Sequence, residues 1–130
     1  MSRLVTVVIL LAFSAVIGCG TAQRPITGKT PDDWLGALRD PDPRLRKKAV
    51  AKLGNAGPLK PDIFPALVQA LGDADAQVRS TAIVALVKFG DQALAARPTL
   101  ENLHQQDADP QVRAYAAKAI QKFQRRATEN

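Results

Sequence analysis

Apolar residues return along this chain at helical spacing in paired runs, and the pairs themselves repeat. Trp34, Leu67 and Leu100 stand 33 residues apart, as do Ala37, Ala70 and Leu103, and Leu38, Leu71 and His104. Past one inserted residue in the third copy, Leu45 aligns with Val78 and Val112, and Ala49 with Ala82 and Ala116. Val50 likewise aligns with Ile83 and Ala117, and Leu53 with Leu86 and Ile120. Within each copy the second set falls at i, i+4, i+5 and i+8, which is one face of an α-helix. The pattern predicts an all-α fold of three helix pairs, near residues 31–39 and 43–55, 61–71 and 76–89, and 93–105 and 110–126. No segment shows the period-two alternation of a half-buried strand.

Boundary residues agree with these pairs. Thr30-Pro31-Asp32-Asp33 offers a threonine N-cap, a proline at the first helical position and an acid three residues after the cap. Asp42-Pro43 and Asp109-Pro110 place an aspartate cap before the second helix of copies one and three, and Asp75-Ala76 does so in copy two. Gly57 and Gly90, one period apart, stand where second helices end and supply left-handed C-caps. Lys122, Arg125 and Arg126 suit the negative end of the last helix dipole.

One phrase marks the turn of every copy. It runs Asp40-Pro41-Asp42-Pro43-Arg44-Leu45-Arg46, then Asp73-Ala74-Asp75-Ala76-Gln77-Val78-Arg79, then Asp107-Ala108-Asp109-Pro110-Gln111-Val112-Arg113. A fixed period of 33 to 34 residues is the mark of stacked helical repeats, each a unit that buries its apolar face only against its neighbours. The result is a short α-solenoid with repeats at about 30–57, 58–90 and 91–126, and a tail at 127–130. Such an array points to a binding surface before it points to a reaction.

Composition fits one small domain: 130 residues, 46% hydrophobic and 23% charged. The single cysteine excludes an internal disulfide. A formal net charge of +6 favours anionic partners.

The N-terminus departs from the repeat pattern. Met1-Ser2-Arg3 is a short basic start, Leu4 to Ile17 carries no charge, and the small residues Gly18-Cys19-Gly20 follow, the layout of a bacterial export signal. The uncharged stretch covers about 21 Å as a helix, short of the ~30 Å hydrocarbon core, so a permanent span is the weaker reading. Val16-Ile17-Gly18-Cys19 resembles the lipobox of bacterial lipoproteins. That resemblance implies a signal over 1–18 cut before Cys19, acylation of the Cys19 thiol, and a polar, flexible spacer over the rest of 19–29. It also implies export and lipid anchoring to the cell envelope, at the periplasmic face or cell surface, with Gly20 after the cysteine hinting at the outer membrane. The alternative is ordinary secretion with cleavage after Gly20-Thr21-Ala22, which discards Cys19.

Beyond the leader, the chain resembles short-period HEAT-like repeat proteins of bacteria. The resemblance rests on a proline in the first helix, an aspartate in the turn and a basic residue early in the second helix. Here these are Pro31, Asp40 and Arg46, then Pro65, Asp73 and Arg79, then Pro98, Asp107 and Arg113. It implies that Asp40, Asp73 and Asp107 with Arg46, Arg79 and Arg113 form a structural ladder between neighbouring repeats. Ankyrin and tetratricopeptide signatures are missing from the sequence.

Positions where the copies disagree are better candidates for binding. Arg44, Lys48 and Lys52 make a basic stripe at i, i+4 and i+8 that copies two and three do not repeat. Tyr115 aligns with Lys48 and Thr81 on the outward stripe. The expected partner-binding set is Arg44, Lys48, Lys52, Thr81, Lys88, Tyr115, Lys118 and Lys122. Trp34, the one tryptophan, is expected to cover the open end of the stack. His104 has no second histidine or cysteine near it, so no metal is expected, and no cofactor or catalytic motif stands out.

The leading reading is a membrane-tethered, non-enzymatic module presenting a small, concave, partly basic surface to a protein or peptide; nothing points to a small-molecule ligand. The alternative is binding of nucleic acid or another anionic surface by the basic face, against which export argues for nucleic acid. A remote alternative is the bilin-lyase activity found among larger HEAT-like arrays.

Overall fold

A computed structural model describes residues 30–129. The expected leader, Cys19 and the expected spacer therefore lie outside the described residues. Six α-helices and no strand are present among the described residues: α1 (Pro31–Ala37), α2 (Pro43–Ala56), α3 (Ile63–Ala70), α4 (Ala76–Val87), α5 (Arg97–Gln106) and α6 (Pro110–Glu129). They form a short all-α solenoid. Each odd-numbered helix packs on the even-numbered one that follows it, and α4 lies between α2 and α6.

The local chemistry sets the helix starts. Thr30 Oγ1 accepts from Asp33 N–H at 3.3 Å while Asp33 accepts from Thr30 N–H at 3.2 Å, a complete capping box. Asp42 accepts from Arg44 N–H, Asp75 from Gln77 N–H and Asp109 from Gln111 N–H, each at 2.8 Å. The second helix of every repeat thus begins with the same aspartate device.

Proline moves two of the expected boundaries. A helix starting at residue 61 would need the N–H of Pro65 for its 65→61 bond; α3 instead starts at Ile63, which leaves Pro65 in the first turn where no N–H is required. Pro98 acts likewise in the third repeat. The helix expected from residue 93 is a 3-10 helix over Gly90–Ala96, and α5 proper begins at Arg97 with Pro98 in its first turn. Gly57 has φ +67° and ψ −153°, a region open to glycine alone rather than the left-handed helical cap expected there. Gly90, at φ +61°, opens the 3-10 helix, while α4 has already ended at Val87. At the C-terminus α6 continues through residues 127–129, which the sequence pattern left as a tail.

The core runs along the seam between the two helix layers. Leu53, Ile63, Leu67, Leu71, Ile83, Leu86, Leu100 and Phe123 are fully buried in it. At the array's ends the same repeat positions are only half-buried: Leu45 at the first repeat, Ala117 and Ile120 at the third. Terminal repeats lack the neighbour that covers these positions. The close joint between α2 and α4 is made by Gly54, where a Cβ would lie 2.5 Å from Ala85 Cβ.

Candidate interaction surface

The repeated turn builds a hydrogen-bonded joint between repeats. Arg46 Nε and Nη2 donate to the two carboxylate oxygens of Asp73 at 2.8 Å each, and Arg79 Nε and Nη2 donate to Asp107 at 2.8 Å each. Each arginine also clasps its own turn: Arg46 Nη1 donates to the carbonyls of Asp40 and Pro41, and Arg79 Nη1 to those of Asp73 and Ala74. Asp73 Oδ1 accepts in addition from Asp75 N–H, and Asp107 Oδ1 from Asp109 N–H, at 2.9 Å. One guanidinium thus ties two consecutive turns together, and its planar fork suits a carboxylate held edge-on.

These pairs are largely shielded, with side-chain exposure of 16% and 12% for Arg46 and Asp73 and 14% and 5% for Arg79 and Asp107. The hydrogen bonds from Arg46 and Arg79 hold the carboxyls of Asp73 and Asp107 below the ordinary aspartate range, against the opposing pull of burial. The guanidinium groups are held above theirs by the same bonds. The ladder has two closed rungs, Arg46–Asp73 and Arg79–Asp107, whose side chains are used in joining repeats, while the Asp40 carboxylate and the Arg113 guanidinium bond only within their own turns among the described residues.

The outward face of the second helices is different in character. Arg44 and Lys48 on α2, Lys88 just past α4, and Tyr115, Lys118 and Lys122 on α6 are exposed. Thr81 is half-buried, and its hydroxyl donates to Gln77 C=O at 2.7 Å. Lys88 Nζ donates to Asn55 Oδ1 of the preceding repeat, and Lys47 Nζ reaches Gln77 Oε1 at 3.4 Å, so the basic side chains also bridge adjacent second helices. Lys48 Nζ stands 5.9 Å above the Trp34 ring, a cation–π contact over a residue that is itself buried.

Lys52 is placed apart from this set. Its repeat position is that of Ala85, which packs on Gly54 of the preceding repeat, and of the buried Ala119. No repeat precedes the first among the described residues, so Lys52 lies at the N-terminal end of the described array. Val84, 44% exposed beside Thr81 and Lys88, was not in the expected set. A valine at the repeat position of Ala51 and Lys118 is the sequence signal that marks it. Together with Tyr115, 41% exposed, it gives the face an apolar middle between basic flanks.

Charge is segregated between the layers. The sole carboxylate on α2, α4 and α6 is Glu129, the last residue of α6. The other acids sit in the turns, in α1 and α5, and in the 3-10 helix; Asp32 pairs with Lys60 at 2.5 Å and Glu101 with Arg97 at 2.8 Å. The face can therefore attract anions and donate hydrogen bonds. Among the described residues no three His, Cys, Asp or Glu side chains are grouped to hold a metal ion. His104 is exposed, with Nδ1 3.2 Å from Arg113 C=O. No helix among the described residues is long and apolar enough to cross a membrane.

No curated protein matches this chain. Among solved structures it is similar to a chain in the complex of CpcE and CpcF of phycocyanin lyase from Nostoc sp. PCC7120, with 29% identity and a TM-score of 0.63. The likeness covers 72% of this chain and 37% of that one, so this chain spans little more than a third of its neighbour's length. The family model for HEAT repeats matches residues 31–121, which takes in both rungs of the ladder and five of the six helices in full. With that match over most of its length, and helix pairs stacked into a solenoid scaffold, the chain belongs to the HEAT-repeat family.

Proposed function

We propose that this protein is a membrane-tethered, non-enzymatic interaction module whose second-helix face binds an acidic protein or peptide. The observation that carries this is the absence of any carboxylate from α2, α4 and α6 before Glu129, while Arg44, Lys48, Lys88, Lys118 and Lys122 stand exposed around Val84 and Tyr115. A face with an apolar, partly aromatic middle and cationic flanks matches a partner with the opposite charge and a few apolar anchors. The lipobox-like Val16-Ile17-Gly18-Cys19 supports the tether and with it a place in the cell envelope. Two or three acyl chains hold a protein on a membrane where one does not.

The test has two parts. Intact mass of the mature protein extracted from membranes distinguishes a chain beginning at acylated Cys19 from one cut after Ala22, and the second result removes the tether. Binding of the full-length chain in non-ionic detergent to a polyglutamate peptide carrying a few leucines tests the face. Charge reversal of Lys88 and Lys118 together should weaken it at least about tenfold; unchanged binding defeats the reading.

A second reading, action on a bilin, is favoured by the likeness to the lyase complex alone. It predicts a shift in bilin absorbance when the pigment is mixed with the chain. An unshifted spectrum removes it.

A further inference from the structure

The ladder ends in two complementary half-rungs. Arg113 Nη1 donates to the carbonyls of Asp107 and Ala108 at 2.7 and 3.2 Å, the same clasp that aims Arg46 and Arg79 at the following repeat. Its Nε and Nη2 meet no carboxylate among the described residues. At the other end, Asp40 Oδ1 accepts from Asp42 N–H at 2.8 Å, as Asp73 and Asp107 do from their own turns. No guanidinium among the described residues bonds to the Asp40 carboxylate, although Arg46 Nη1 holds the Asp40 backbone carbonyl. Each end is therefore preset, by contacts within its own turn, in the pose that closes a rung elsewhere in the array.

We propose that the C-terminal end of one copy stacks on the N-terminal end of a second copy, with Arg113 of the first clasping Asp40 of the next. Charge complementarity selects this occupant, and so does register. The receiving carboxylate must be held by a turn like those of Asp73 and Asp107, and the chain's own first turn has that geometry. The apolar positions agree. Leu45 at one end, and Ala117 and Ile120 at the other, are half-buried where their counterparts inside the array are covered by a neighbour.

One pair opposes tight stacking. The Gly54–Ala85 contact inside the array is replaced at the new joint by Gln121 against Lys52, a bulkier polar pair. The joint is consequently weaker than the internal ones and depends on concentration. A head-to-tail contact without closure builds open rows rather than closed rings. Val84, Lys88 and Tyr115 on the outward face stay clear of the new joint in such a row, so this inference does not rest on the proposed function.

Sedimentation velocity of the full-length chain in non-ionic detergent measures the association. Asp40→Arg alone and Arg113→Asp alone each place like charges at the joint, and each is expected to weaken association at least about tenfold. The double variant D40R/R113D restores a complementary pair and should return most of the loss. A chain that stays monomeric up to about 1 mM overturns the proposal, as does association indifferent to both single changes. A second measurement spares the ladder. Lys47 lies beside Gln77 at an internal joint, and the matching positions across the new one are Ala114 and Arg44. A photoreactive phenylalanine analogue at Ala114 should cross-link to the α2 peptide containing Arg44 of another copy; the absence of that adduct overturns the proposal even if the charge variants misfold.

Discussion

Arg79 and Asp107 are joined by two parallel hydrogen bonds of 2.8 Å that cross the boundary between the second and third repeats. Because Arg79 also donates to the carbonyls of Asp73 and Ala74, the pair fixes the second turn against the third instead of merely linking two side chains. Asp107→Ala leaves a shielded guanidinium without its carboxylate and removes the acceptor of Asp109 N–H. The expected loss is about 3 kcal/mol of folding stability, read from chemical denaturation. Arg79→Lys keeps the charge but loses the fork and the clasp, and should cost about 1–2 kcal/mol. If R79K were neutral, the joint would be held by charge alone.

The same rungs set a pH dependence with a definite sign. Asp73 and Asp107 have folded-state pKa values below the ordinary aspartate value, chiefly because Arg46 and Arg79 bond to the carboxylates. The unfolded chain therefore binds protons first as pH falls, and stability rises with pH in that window. The ladder's contribution is complete above the usual aspartate value of about 4 and is lost as pH drops toward the lowered values. Thermal melting by circular dichroism should show a midpoint that falls below about pH 4, with a shallower fall in D73N/D107N. Equal slopes in the two proteins would assign the acid sensitivity to other carboxylates.

Gly54 gives a third prediction, with a compensating partner. A Cβ there lies 2.5 Å from Ala85 Cβ, closer than such atoms sit, and a tight 3.0 Å from its Cα, so α2 and α4 must separate. Gly54→Ala should destabilise by about 1–3 kcal/mol despite alanine's higher helix propensity. Ala85→Gly in the same chain vacates the contact and should recover part of that loss, less the helical cost of the new glycine. A stabilising G54A would show that the helices part freely.

How far the sequence disclosed this architecture differs from residue to residue. The helix pairs, their caps and the three turns are legible because apolar spacing, aspartate caps and the Asp/Arg phrase recur at one period, so each copy checks the others. The start of α5 was missed because apolar period alone extends the helix back to Ala93, whereas Pro98 lacks the N–H that such a helix needs. The close approach of Gly54 was missed since a lone glycine in a helical run has no partner visible along the chain; its contact is with a residue 31 positions away. Lys52 joined the basic stripe by its i, i+4, i+8 spacing, yet Ala85 and Ala119 at its repeat position mark the side that packs on a preceding repeat. Small residues in the interior copies, set against a long charged one in the first, were the available sign that Lys52 belongs to the end of the stack.

The outward face supplies the last prediction, in which salt separates charge from packing. Arg44, Lys48, Lys88, Lys118 and Lys122 are exposed, so their attraction for an acidic peptide is screened once the Debye length shrinks from ~10 Å at 0.1 M salt to ~3 Å at 1 M. Val84 and Tyr115 contribute burial that salt does not weaken. Isothermal titration of the leucine-bearing polyglutamate peptide should therefore show affinity falling steeply with salt to a residual that Tyr115→Ser removes. Lys88→Glu with Lys118→Glu should flatten the salt dependence and leave that residual in place. If Y115S instead altered the salt slope while the charge reversals left it intact, the apolar middle and the basic flanks would not be parts of one binding surface.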